Sequence, residues 1–271
     1  MKSHRTSRAE FAIGFVLFHP EESLLKRIDQ MVVLGFQVYV FDNSPFSASF
    51  SSAIQINPEI SYLTAGKNVG LGYSLSVLCA TAYANGYERL LFLDQDTLIS
   101  NQTLEFIEAY PHSLQPDILK QYAALIFSGH PESDQSVLEV SLAISSGSLF
   151  NLSVLKQIGW HNEKYFVDCV DYEFCIRARR CGFKIGLIGN TPDFDHVSGQ
   201  PDQTIKLFGK KLLVRRYSAT RIKDALGAYL NLIFSGLFQN KPSDTYDLAR
   251  SMVIYIFGQL TSRFIQGKSW K

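Results

Sequence analysis

The stretch Arg89-Leu-Leu-Phe-Leu-Asp94-Gln95-Asp96 decides the fold. Four consecutive apolar residues running into carboxylates read as a fully buried strand, the kind found inside a parallel sheet covered by helices on both faces. Asp94 and Asp96 stand at i and i+2, so the strand delivers both carboxylates to one face just as it ends. In an open α/β sheet, ligands bind outside the carboxyl ends of the strands, and hard cations such as Mg2+ or Mn2+ take carboxylate oxygens together with ligand phosphates. Asp94 and Asp96 are therefore candidate ligands for a metal nucleotide complex. A plain turn or helix cap is the competing reading.

Working outward, FAIGFVLF (11–18) reads as a buried strand, EESLLKRIDQMVVL (21–34) as an amphipathic helix and FQVYVFD (36–42) as a second strand. A turn at Asp42-Asn43-Ser44-Pro45 follows, then a strand at ISYLT (60–64), a turn rich in Gly and Asn at 66–70 and a helix to about Gly86. Periodicity is weaker through SLAISSGSLF (141–150), and DYEFCIRARR (171–180) is a helix ended by Gly182. This β-α-β alternation predicts an α/β fold with a mixed, mostly parallel sheet flanked by helices.

The chain has 271 residues, of which 46% are hydrophobic and 19% charged, which excludes disordered and fibrous classes. Lys plus Arg number 26 against 25 acidic residues, so net charge gives no reason to expect nucleic acid as a partner. The apolar run 11–18 is too short for a secretory signal, and the four cysteines form no Cys-x-x-Cys pair, so a cytoplasmic protein with reduced thiols is expected. After about residue 204 the composition changes. Residues 206–223 hold seven basic side chains, Arg221 among them, and no acidic ones. The apolar stretches 225–238 and 251–260 fall short of the roughly 20 residues that span a bilayer. The expected organisation is a catalytic domain at 1–204 and a helical C-terminal extension at 205–271. Its basic run reads equally as a solvated helix face, a contact for a diphosphate, or a surface that lies on anionic lipid.

Other polar sites belong to loops. Asp168-Cys-Val-Asp171-Tyr-Glu173 opens a helix; capping is the stronger reading of these residues taken alone, and a general base within reach of a substrate hydroxyl is the functional one. Asp42-Asn43 ends the second strand, and Gly66-Lys-Asn68-Val-Gly70 opens a helix whose amides suit a diphosphate. His196 reads either as a solvated loop residue or as a metal ligand through neutral imidazole.

Taken in order, Asp94-Gln-Asp96, Asp171-Tyr-Glu173-Phe-x-x-Arg177 and His196-x-x-Gly199 resemble the family 2 glycosyltransferases, most closely the bacterial rhamnosyltransferase branch. The resemblance runs from about Phe11 to Gly199. It implies a GT-A fold, a nucleotide-diphospho-sugar donor and inversion at the anomeric carbon. On it, Phe18-His19-Pro20 and Asp42-Asn43 correspond to loops around the donor base and ribose, Asn68-Val-Gly70 to the family's Asn-x-Gly turn on the donor side, and Asp94-Gln95-Asp96 to its metal and diphosphate motif. Ser146 and Gly147, in Ser145-Ser-Gly-Ser, together with Asp168 and Glu173, fall on the acceptor side, and Asp171 is the catalytic base. Asp96, His196 and Asp94 would hold Mg2+ or Mn2+, and Arg221 would join the donor side. The implied donor is dTDP-rhamnose, with a UDP-sugar as the alternative, and the implied acceptor is a lipid-linked or growing surface polysaccharide. A catalytically silent nucleotide-sugar-binding scaffold subunit is the rival from another class; a nucleotidyltransferase ranks below it. After Gly199 the branch pattern breaks: Arg216-Tyr217-Ser-Ala-Thr-Arg221 lacks the second Tyr and the Asn. Oligomeric state is open, and a homo-oligomer is allowed.

Overall fold

The computed structural model describes residues 11–45, 57, 59–130, 137–196, 203–207, 210–214, 216–239 and 241–266. The chain forms two compact units, residues 1–196 and 197–271.

The first unit is built on an eight-stranded sheet. Its strands are β1 (Phe11–Leu17), β2 (Val38–Asp42), β3 (Ile60–Thr64), β4 (Arg89–Asp94), β6 (Tyr122–Phe127), β7 (Leu138–Glu139), β8 (Ser148–Asn151) and β9 (Lys184–Ile188). They lie side by side in the order β3-β2-β1-β4-β8-β6-β9-β7. The pairs β1/β2, β2/β3, β1/β4 and β6/β9 are parallel, whereas β8 runs antiparallel to both β4 and β6, and β7 antiparallel to β9. A short strand β5 (Thr97–Leu98) pairs antiparallel with β10 (Asp195–His196) outside this sheet.

Alternation along β1 decides which layer covers which face. Phe11, Ile13, Phe15 and Leu17 share one core with Leu24, Ile28 and Met31 of helix α1 (Ser23–Val33) and with Leu104 and Ile107 of α3 (Asn101–Ser113). On the same strands Ala12, Tyr39, Phe41, Leu90 and Phe92 alternate with these, and α2 (Leu71–Ala84) packs on β1, β2 and β4 with Leu75, Leu78, Cys79 and Ala82 buried. Burial on both faces explains why the middle strands read as unbroken apolar runs. Each such side chain contributes about 2–3 kcal/mol through the water it sheds. Among the described residues the remaining helices of this unit are α4 (Pro116–Leu119), α5 (Leu152–Ile158) and α6 (Val170–Arg180).

The register aligns Leu17 with Asp42 and Asp42 with Thr64, while Val16 lies opposite Asp94. Four parallel strands thus end at one edge. Because β8 runs the other way, its first residues arrive at that same edge, with Ser148 opposite Phe92. This reversal brings Ser145-Ser146-Gly147 to Asp94.

The second unit holds a hairpin, β11 (Gln203–Leu207) and β12 (Lys210–Val214). Much of the basic run is therefore strand instead of helix face, in keeping with the β-branched and aliphatic content of QTIKL and KKLLV. Helices α7 (Ala219–Phe238) and α8 (Pro242–Gln266) follow and pack on each other, with a Tyr229 Oη to Ser251 Oγ contact of 3.0 Å between them. Among the described residues no helix is long and apolar enough to cross a membrane.

Candidate functional site

The carboxyl edge gathers most of the residues singled out from sequence. Asp94 ends β4, Gln95 and Asp96 form the turn, and Thr97 starts β5. Arg27 of α1 clamps this turn: its guanidinium donates to the carbonyls of Thr97 and Gln95, each at 2.6 Å, and its charge faces Asp96. Gln95 makes a two-way bridge to the next loop, accepting from the Phe18 N–H at 2.9 Å and donating to the Phe18 carbonyl at 3.1 Å. The His19 N–H in turn donates to Ser44 Oγ at 2.8 Å, and its backbone takes φ +47°. Phe18 and His19 are left exposed, ring against ring at 4.4 Å.

Asp42 is buried, and both its carboxylate oxygens accept hydrogen bonds, from the Ser44 N–H at 2.8 Å and the Tyr62 hydroxyl at 2.9 Å. Burial first, and that bond second, push the Tyr62 phenol up. Asn43 is equally buried. Its amide donates to Ser74 Oγ at 2.9 Å and its oxygen accepts from the Val69 N–H at 3.1 Å, so it brackets the turn before α2. In that turn Asn68 accepts from the Gly70 N–H at 3.0 Å. Gly70 sits at φ +86°, and a Cβ there would stand 2.5 Å from the Phe166 carbonyl. Only glycine fits, and the close approach lets the Leu71 N–H donate to the same carbonyl. The turn before α2 is thereby tied to the segment that carries Asp168.

Ser145 and Ser146 join the two carboxylate clusters. Ser146 Oγ accepts from the Asp94 N–H at 3.2 Å, lies 2.7 Å from Thr97 Oγ1 and also hydrogen-bonds the Asp94 carboxyl. Ser145 donates both its hydroxyl and its backbone N–H to Asp171. Gly147, at φ +80°, completes the turn, its N–H bound to the Phe92 carbonyl at 2.9 Å.

Burial pushes Asp94 up to about 7, helped by the charges of Asp171 and Asp96. Burial likewise lifts Asp171 to about 6; the Ser145 bonds oppose that shift, and the Asp168 charge adds to it. Two neighbouring carboxyls raised toward neutral pH are suited to proton transfer or to a cation.

Asp171 and Glu173 stand in the first turn of α6 and Arg177, Arg179 and Arg180 in its last, the charge placement that suits a helix dipole, but none of the carboxylates is the N-cap. The N-cap of α6 is Cys169, in the left-handed region at φ +65° and without a side-chain cap bond. Glu173 is buried against Arg177 in a two-pronged pair at 2.8 and 3.0 Å, and Arg177 also holds the carbonyls of Ile158, Gly159 and Trp160. That pair buckles α6 to the segment following α5. Arg221 belongs to the second unit, where its guanidinium lies 4.0 Å over the Tyr217 ring. Cα of His196 lies opposite Thr97, one residue from Asp96; its side chain is outside the described residues, as is Gly199.

The arrangement matches known proteins at the level of fold. S. aureus TarS 1–349 in complex with UDP-GlcNAc superposes with a TM-score of 0.58 at 14% identity, covering 93% of this chain and 73% of that one. The fold is GT-A. A longer TarS structure gives 0.53 at 17% identity and covers 69% of this chain, which spans only 36% of its length. GalNAc-T7 with UDP, GalNAc and Mn2+ gives 0.52 at 11% identity, covering 92% of this chain and 54% of that one. In sequence, the chain resembles the Shigella flexneri dTDP-rhamnosyl transferase RfbF, at 24% identity over 228 residues and 76% coverage of each. No protein-family model matches.

The presence of Mn2+ in one GT-A relative makes the donor set of this chain worth testing for a metal. Among the described residues no three His, Cys, Asp or Glu side chains cluster to form a closed cage. An open site needs fewer: Mg2+ is held by one or two carboxylates plus substrate phosphates. Asp96 and Asp94, two residues apart at the end of β4 and repelling one another, are the carboxylates that would supply them.

Sequence reasoning missed Arg27, Tyr62, Thr97 and the hydrogen bond from Ser145 to Asp171. Ser145 carried a signal, since it stands in the Ser-Ser-Gly-Ser run. Arg27 carried none, being one of several charges on an amphipathic helix.

Proposed function

We propose that the chain is an inverting glycosyltransferase in which Asp171 is the general base. The observation that carries this reading is the pair Asp171 and Asp94, hung on the adjacent serines Ser145 and Ser146 at the carboxyl edge. In the reaction Asp171 takes the proton of the acceptor hydroxyl, the acceptor oxygen forms its bond to the anomeric carbon, and the bond to the diphosphate breaks with its electron pair leaving on the nucleoside diphosphate. Phe18, His19 and Asp42 line the nucleoside end, and the Asn68-Val-Gly70 turn lies beside it, its Val69 and Gly70 amides bound to the side chains of Asn43 and Asn68. Asp96, with His196 next to it in the β5/β10 pair, would hold Mg2+ or Mn2+, whose charge stabilises the departing diphosphate. Asp94 would then serve the ribose or the hydration shell of the metal rather than hold the metal alone.

For the donor we favour dTDP-rhamnose, supported by the likeness to RfbF. A UDP-sugar is the second reading, favoured by the UDP-GlcNAc bound in TarS. The acceptor is a hydroxyl of a lipid-linked or growing surface polysaccharide, reached at an anionic membrane surface on the cytoplasmic side. The basic run 206–223 and the exposed apolar residues of α7 and α8 support that location.

Thermal stabilisation by dTDP-rhamnose, UDP-sugars and the free diphosphates, with Mg2+, Mn2+ or chelator, tests donor and metal together. A metal-dependent shift largest with dTDP-rhamnose is expected, and equal shifts with and without chelator would remove the metal from the reading. Asp171→Asn should keep donor binding and lose about 1000-fold in transfer. Unchanged transfer would take Asp171 out of the role of base, and a wild-type chain that binds donor without turnover would favour the scaffold alternative.

A further inference from the structure

We infer that Ser145 is a positioning residue for the general base: its hydroxyl and backbone N–H both donate to the Asp171 carboxylate and leave the other lone pairs turned toward the acceptor. The inference rests on the reading of Asp171 as base. Ser145 is built to hold still. It is 5% exposed, its carbonyl accepts from the Ser148 N–H at 3.0 Å, and the turn is pinned to both neighbouring strands by Gly147 N–H to Phe92 and Phe127 N–H to Gly147. A Cβ on Gly147 would stand 2.5 Å from the Phe127 carbonyl, so the turn has no room to shift.

Two carboxylates and two thiols surround Asp171, and the Arg179 charge, on the same helix, acts on one of those thiols. Asp168 precedes its helix, Asp94 approaches from β4, and the thiols of Cys169 and Cys175 stay protonated because burial pushes them up. Against these, two donors on one residue favour the carboxylate. The same turn holds Asp94 through Ser146, so the spacing between base and leaving-group side is fixed by two consecutive residues.

The test compares wild type, Ser145→Ala, Ser145→Thr and Asp171→Asn. In protein labelled with 13C at aspartate carboxyls, the resonance missing from the Asp171→Asn protein reports the base, with no substrate needed. Its midpoint should rise by a pH unit or more in Ser145→Ala and return toward wild type in Ser145→Thr. Release of dTDP from dTDP-rhamnose, with water as acceptor, should show kcat down 10- to 100-fold in Ser145→Ala at unchanged donor KM. A midpoint and kcat within twofold of wild type in Ser145→Ala would overturn the inference, as would a lower melting temperature with an unmoved midpoint. If Asp171→Asn is inactive while Ser145→Ala behaves as wild type, the base stands and the role of Ser145 falls. If Asp171→Asn keeps full rate, the reading of Asp171 itself fails.

Discussion

Asp171 sits between two influences, burial that favours its neutral form and Ser145 that favours the charged one, and the outcome near 6 sets a working range. A base must be deprotonated to act, so kcat/KM should be full above that value and fall tenfold per pH unit below it. An acid limb lying near 4 instead would mean that the base is a solvent-exposed carboxylate elsewhere. His161 is the opposite case. It is 2% exposed, both ring nitrogens lack a hydrogen-bond partner, and its ring stacks on Phe174 at 5.0 Å and meets Phe150 edge-on at 4.9 Å. Burial, with the Arg177 charge behind it, holds its pKa down to about 3, so it stays neutral at every working pH. His161→Phe keeps the stacking and removes two unsatisfied polar atoms; stability should be unchanged or higher by about 1–2 kcal/mol in urea unfolding. A loss of that size would reveal a polar role for the imidazole.

At the scale of elements, the turn 95–97 is held by α1 rather than by its own strand. Arg27→Met should leave the sheet intact, cost about 1–2 kcal/mol and weaken donor binding about tenfold in calorimetry, because Asp96 loses its fixed backbone. Unaltered donor affinity would show that the clamp serves stability alone. The elements themselves were largely legible. ISYLT and RLLFLD are the strands β3 and β4 to the residue, since continuous apolar runs between turn signals leave little choice. Helix α1 is shorter by two residues at its start and one at its end than its apolar pattern. What sequence could not show was partnership across the chain. Gln95 binds Phe18 from 77 residues away and Ser146 binds Asp94 from 52, and nothing local in either segment encodes the other. The direction of β8 and the hairpin of β11 and β12 were illegible for a related reason: pairing depends on which edge is free once the other strands have formed.

At the scale of the molecule, the second unit presents apolar residues on the outer sides of its two helices. Leu230, Phe234 and Leu237 recur at i, i+4 and i+7 on α7, as do Val253, Phe257 and Leu260 on α8, all at least 40% exposed. On α7 the stripe lies opposite the buried Ala225, Tyr229 and Leu232. With the basic run, this predicts sedimentation with vesicles containing anionic lipid that weakens as salt rises. Binding indifferent to salt would assign it to the apolar stripes, and absence of binding would end the membrane reading. The first unit carries a different consequence, in the order of its assembly. Strand β8 lies between β4 and β6, yet β6 precedes it in the chain. Until synthesis passes residue 151, β4 is an open edge, with Leu90, Leu91, Phe92 and Leu93 beside unpaired amides. Such an edge is a template for pairing between chains. Substitutions that slow the insertion of β8 should therefore show first as aggregates during expression, while the molecules that do fold retain their activity.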